Sequence, residues 1–185
     1  MMRSRIAVLL CFLAAPLAAA DWQAAPESHS LTFHGMQQGE GFDGRFARFE
    51  AAIRFDPDHL SSARFEVDID LTSADTRSDE RDEVLLGSDF FFVRRFPGAR
   101  FVTHTFEAEG DDRYLAKAEL TIRDRTVAID FPFRWQAEDE GARILAEVTL
   151  DRVAFGLGDN EDWLDADTVG HEVVVRVDLP LRPAR

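Results

Sequence analysis

A chain of 185 residues, 45% of them hydrophobic, can bury one sizeable core, and its net charge of −14 makes a surface that repels nucleic acid and anionic membrane faces. Cys11 is the only cysteine and Lys117 the only lysine, so no disulfide can form within the chain and nearly all cationic work falls to arginine.

Residues 1–20 have the three-part layout of a secretory signal peptide. Arg3 and Arg5 precede an unbroken apolar run, Ile6 to Leu13, and Ala18-Ala19-Ala20 then supplies small residues before Asp21. The run is far shorter than the ~20 residues of a membrane-spanning helix. Val8-Leu9-Leu10 lacks the small residue expected just ahead of a lipidated cysteine, so Cys11 is not read as an anchor. The expectation is a cleaved leader and export to the periplasm, which removes Arg3 and Arg5 and takes the net charge from −14 to −16. Residues 21–185 then read as one domain, with no linker, repeat or shift of composition.

From there strict alternation recurs. Phe49, Ala51, Ile53 and Phe55 point one way, with Glu50, Ala52 and Arg54 between them; Phe65, Val67, Ile69 and Leu71 alternate with Arg64, Glu66, Asp68 and Asp70. The pattern returns in Tyr114–Ile122, Val127–Trp135, Ile144–Leu150 and Val173–Leu181. A period of two with one polar face means half-buried strands. Polar turn clusters join them (Asp56-Pro57-Asp58, Glu109-Gly110-Asp111-Asp112, Glu138-Asp139-Glu140-Gly141), so the chain reads as all-β, an antiparallel sandwich or barrel.

One segment breaks the pattern. Ser78 to Gly87 opens with a cap-type residue and acids in the first turn and closes on glycine, as a short helix does. Ser88-Asp89 and then Phe90-Phe91-Phe92 predict a second helical turn or lid. Three consecutive phenylalanines cannot all face water, since each buried ring is worth about 2 kcal/mol, so they are expected to plug an opening.

Phe55-Asp56-Pro57, Ser62, Thr76, Arg81-Asp82, Leu85, Ser88-Asp89-Phe90-Phe91 and Phe96-Pro97, in that order, resemble the YceI-like family of bacterial periplasmic, lipocalin-like proteins. His29-Ser30…Phe33, Leu120-Thr121-Ile122 and Leu150-Asp151-Arg152…Phe155-Gly156 extend the likeness over nearly all of 21–185. The resemblance implies a closed antiparallel eight-stranded barrel with one short helical lid, whose interior binds a polyisoprenoid or similar lipid, often as a homodimer. Likeness to members associated with cytochrome b561-type membrane proteins implies an isoprenoid quinone as one candidate ligand and such a cytochrome as a candidate partner. The chain departs from the family at Val84, where a histidine is usual, at Phe92, where an aspartate is, and at Asp124 and Ala128, where glycine and proline are favoured. The lid is thereby more apolar and lacks the usual histidine for a head-group contact.

The expected lining follows from the alternating faces. From the first half it takes Phe49, Ile53, Phe55, Phe65, Val67 and Ile69, with Leu85, Phe90 and Phe91 from the lid. From the second half it takes Phe101, Leu120, Ile122, Phe131, Phe133, Val148 and Val175. In a sandwich the same residues would simply be core, and an eight-stranded barrel can be filled by side chains or hold one slender ligand.

No catalytic or metal constellation stands out, and no cofactor other than a non-covalently held lipid is expected. His29, His34, His59, His104 and His171 show no zinc-clamping spacing, and no Gly-x-Ser-x-Gly elbow exists. Asp159-Asn160-Glu161-Asp162 with Asp165 and Asp167 superficially suggests a calcium loop, but lacks the central glycine and terminal glutamate. Arg81-Asp82 reads as a pair that holds the lid helix or recognises a head group. The leading reading is a periplasmic carrier of a long isoprenoid lipid. The alternatives are a partner-binding module for a membrane cytochrome, and an enzyme using His104, Arg81 or Asp82 as acid–base groups.

Overall fold

The computed structural model describes residues 21–24 and 30–184. The expected leader, with Cys11, and His29 lie outside the described residues. The alternating segments form strands β1 (Asp21–Ala24), β2 (Ser30–Gln37), β3 (Glu40–Phe46), β4 (Phe49–Arg54), β5 (Arg64–Asp70), β6 (Ala74–Asp75), β7 (Gly98–Gly110), β8 (Arg113–Ile122), β9 (Arg125–Glu138), β10 (Gly141–Asp151) and β11 (Glu172–Pro183). The helix expected between Ser78 and Gly87 is α1 (Asp79–Leu86), with the Ser78 hydroxyl accepting from the Arg81 amide.

These segments make eight staves, all antiparallel to their neighbours. β1 and β2 both lie along β11, at Trp22↔Pro183 and Phe33↔Val175, and β1 also pairs with β4, which closes the ring. β3 and β4 are one stave bent at Ala47-Arg48; β5 and β6 are one stave interrupted by the 3-10 turn Leu71–Ser73. Buried Ser73 joins the two breaks. Its hydroxyl accepts from the Arg48 amide (3.0 Å) and donates to the Asp70 carbonyl (2.6 Å). The result is an up-and-down barrel in chain order, closed where β1 lies between β4 and β11.

The connections alternate between two ends. One end carries the tight turn Asp111-Asp112 (φ 52° and 59°) and the 55–63 connection with its 3-10 turn Leu60–Ser62, and is sealed by aromatic side chains. Phe55, 0% exposed, sits at the centre of that floor with Tyr114, Phe133 and Trp135 at ring distances of 5.0, 5.4 and 4.7 Å. The Trp22 indole N–H donates to the Phe55 carbonyl (2.9 Å) and fixes the seal. The other end carries the two long crossovers, 76–97 and 152–171.

The acids that cap the breaks give the barrel an acid limit. Asp56 is held below the ordinary carboxylate value of 3.8 by the Asp58 amide and the His59 ring, Asp70 by the Thr72 hydroxyl and then Arg48, and Asp75 by the Arg77 amide and Arg45. A depressed carboxylate stabilises the fold above its unfolded value, and that contribution is lost as pH falls through the lower folded one. The thermal midpoint is therefore expected to hold down to about pH 4 and to fall as pH drops further through the lowered folded values. A midpoint that climbs steadily to the acid end of such a series would contradict it.

Candidate functional site

Between the aromatic floor and the crossovers the barrel encloses a cavity of about 190 Å³. Its strand wall includes Phe49 and Ile53 of β4, Phe65, Val67 and Ile69 of β5, Phe101 of β7, and Leu120 and Ile122 of β8. Phe131 of β9, Val148 of β10 and Val175 of β11 continue this wall, and Leu85, Phe90 and Phe91 reach it from the lid. Phe55 and Phe133 do not line it: they belong to the floor, one layer deeper, where Phe65 separates them from the void.

Phe33 also lies on the wall, and its ring rests on Gly44 of the neighbouring strand. A Cβ there would meet the Phe33 Cζ at 2.2 Å, so only glycine lets the ring lie flat across the sheet. Met36 is on the wall yet 39% exposed, which places the mouth beside it at the crossover end.

The lid differs from its expected form in two respects. Residues 88–95 are successive turns rather than a second helical turn, and only Phe90 and Phe91 turn inward. At Phe92 φ is 49°, a left-handed conformation that reverses the chain and leaves its ring half-buried against Phe96. The second crossover, 152–171, roofs the cavity as much as the first, with Phe155, Leu157 and Val169 on the wall. Alternation could not reveal it, because its apolar residues are dispersed among acids.

Arg152, 4% exposed, is the one ionisable group on the wall. Among the described residues no carboxylate takes its charge. Instead Nη1 donates to the carbonyls of Leu157 (2.6 Å) and Gly158 (2.7 Å), Nη2 to those of Trp163 and Val169 (2.8 Å), and Nε to that of Gly170 (3.0 Å). Burial pushes its pKa down, opposed by Asp151. With all five N–H groups engaged, it ties the second crossover together and has no donor left for a ligand. The crossovers are tied to each other as well: the Gly158 amide donates to the Asp89 carbonyl (2.7 Å), the Trp163 indole to the Asp89 carboxylate (3.0 Å), and Arg123 to the carbonyls of Phe90 and Gly156.

Arg81 and Asp82 do not form a pair. Asp82 accepts from the amide and hydroxyl of buried Thr76 (2.9 and 2.7 Å), which ends β6 and starts α1. Arg81 donates to Gln37 (3.1 Å) and lies 4.4 Å over the Phe42 ring, so it anchors the helix to β2 and β3. His104 bulges outward from β7 toward Glu119 (3.3 Å) and does not reach the cavity. Asp159 accepts from Arg125 and the Asp165 carboxylate from the Asp167 amide, and among the described residues no group of three or more His, Cys, Asp or Glu is placed to hold a metal.

Residues 22–181 match the YceI-like domain model. The chain belongs to the YceI-like family. The YceI-like chain is 30% identical over 120 residues to Protein YceI of Escherichia coli, an overlap of 63% of this chain and 62% of that one. It is 31% identical over 98 residues to a UPF0312 protein of Shewanella denitrificans, covering 52% and 51% of the two. It thus spans less than two thirds of the length of the relatives it matches. Among solved structures, Burkholderia cenocepacia BcnA superposes with a TM-score of 0.81 at 22% identity, over 85% of this chain and 98% of that one. A polyisoprenoid binding domain from Saccharophagus degradans superposes with a TM-score of 0.71 at 15% identity, over 90% and 99%. At those identities the likeness is one of fold, and the eight-stranded YceI-like barrel expected from the sequence is the one observed.

Proposed function

We propose that this chain holds a long apolar lipid of the isoprenoid class, a polyisoprenoid or an isoprenoid quinone, and carries or sequesters it in the periplasm. The observation that carries the reading is a blind apolar cavity whose one ionisable wall residue, Arg152, has no free donor. Such a site selects by desolvation, at about 0.8 kcal/mol per buried CH₂, and needs no catalytic group, metal or covalent cofactor. The neighbour described as a polyisoprenoid binding domain supports the ligand class. A void of about 190 Å³ takes only a short hydrocarbon with the lid as it stands. A longer chain requires the Phe90-Phe91 turn and the second crossover to swing outward. Handover to a b561-type membrane cytochrome, and function as a homodimer, belong to the same proposal.

The test is native mass spectrometry of the purified protein with organic extraction of its contents. Val148 and Val175 face each other across β10 and β11 on the wall, so Val148→Trp combined with Val175→Trp fills the cavity from within. The wild-type protein is expected to release a reproducible lipid, and the filled variant to release none while keeping its β circular dichroism. A wild-type cavity that is always empty, or a filled variant with unchanged lipid content, overturns the reading.

A further inference from the structure

The last turn of the lid, Phe92–Phe96, has an outer face as well as an inner one, and its charge is opposite to that of the lid helix before it, where Asp79, Glu80, Glu83 and then Asp89 are exposed acids. In a chain with 35 acidic residues, positions 90–106 contain none. Within that stretch Arg94-Arg95 is the only pair of adjacent cations in the sequence. Both are exposed, and neither has a carboxylate partner among the described residues; Arg95 instead lies 5.0 Å over the Phe96 ring. Arg48, Arg54, Arg100, Arg143 and Arg176, on the barrel wall, are each bonded to an acid. Beside the two free guanidinium groups stand Phe92, Val93 and Phe96, each only half-buried.

The backbone is strained to achieve this. A phenylalanine at φ 49° holds a conformation that L residues avoid, and glycine would hold it freely. The reversal sends Phe90 and Phe91 into the cavity and turns Phe92 out against Phe96. One turn therefore presents apolar rings to the interior and arginines with aromatic rings to the exterior.

We propose that the Phe92–Phe96 turn is a membrane-contact element that docks on anionic phospholipid. Arginine pairs with phosphate, and half-buried aromatic rings suit the interface between head groups and chains. No helix among the described residues is long and apolar enough to cross a membrane, so the contact is peripheral. The protein's overall negative charge does not prevent it. At physiological salt, fields are screened beyond about 8 Å, so at contact only the docking face counts. Because Phe90 and Phe91 continue directly into this turn, docking presses on the roof of the cavity. The inference rests on the carrier reading: it supplies the place where a lipid would enter or leave.

Vesicle flotation tests it, with phosphatidylglycerol–phosphatidylcholine vesicles against phosphatidylcholine alone. The wild-type protein is expected to float with the anionic vesicles only, and less so as salt is raised. R94Q/R95Q should lower the apparent affinity on the order of thirtyfold, from two arginines near an anionic surface. R94K/R95K should retain most of it, and Arg176→Gln, on the barrel wall, should change it little. Extracted lipid content is measured on the same samples. R94Q/R95Q that keeps its lipid but no longer floats supports the docking element. Equal flotation of wild type and R94Q/R95Q, or no flotation of wild type, overturns it even where a bound lipid upholds the carrier reading. An empty wild-type cavity instead sinks the carrier reading, whatever the vesicles show.

Discussion

Replacing Arg152 by methionine is expected to cost about 3–5 kcal/mol of folding stability, in the range measured when a buried charge network loses a partner. The side chain is 4% exposed and satisfies five carbonyls drawn from 157, 158, 163, 169 and 170. Methionine fills much of the volume but leaves every one of those oxygens without its donor, each at roughly 1–3 kcal/mol where no water replaces it. Lysine should not restore the loss, because it offers three donors at one point where arginine offers five in a planar fork. Urea unfolding would read the effect directly, and the thermal midpoint should drop by on the order of 10 °C. A loss below about 1 kcal/mol would show that the crossover holds its shape without the guanidinium.

Phe55→Ala should be nearly as severe, about 3–5 kcal/mol, since it removes a fully buried ring from a packed cluster. It also has a functional consequence that separates it from an ordinary core truncation. Phe65 borders both the floor and the cavity, so the space left by the Phe55 ring lies next to the existing void. The variant is expected to accept longer chains than the wild type, read as a shift in the mass of the extracted lipid. Phe55→Leu, with less volume removed, should show a smaller shift of both kinds. A destabilised protein with an unchanged ligand mass would mean that the two spaces do not join.

The staves were legible because burial on one face imposes a period of two on each strand, whatever the global shape. Depth along the barrel axis was not. Ile53 and Phe55 are two residues apart on one alternating face, yet one lines the cavity and the other seals its floor. That difference is set by the stagger between strands, which no single segment encodes. Phe90, Phe91 and Phe92 read alike in composition, and only the backbone reversal at Phe92 sends its ring away from the other two. Arg152 entered only as part of the Leu150-Asp151-Arg152 likeness to the family, and its burial was not legible: what buries it is a crossover whose path depends on the whole fold. Arg81 and Asp82 are neighbours in sequence, and the helix turns them toward different partners.

The sealed floor has a kinetic corollary. With one opening, a resident molecule must leave by the route its replacement would take, so a competitor cannot push it through. Exchange in solution should therefore be first order in loaded protein, with a rate that stays flat as competitor concentration rises. Retention time then becomes a property of the roof alone.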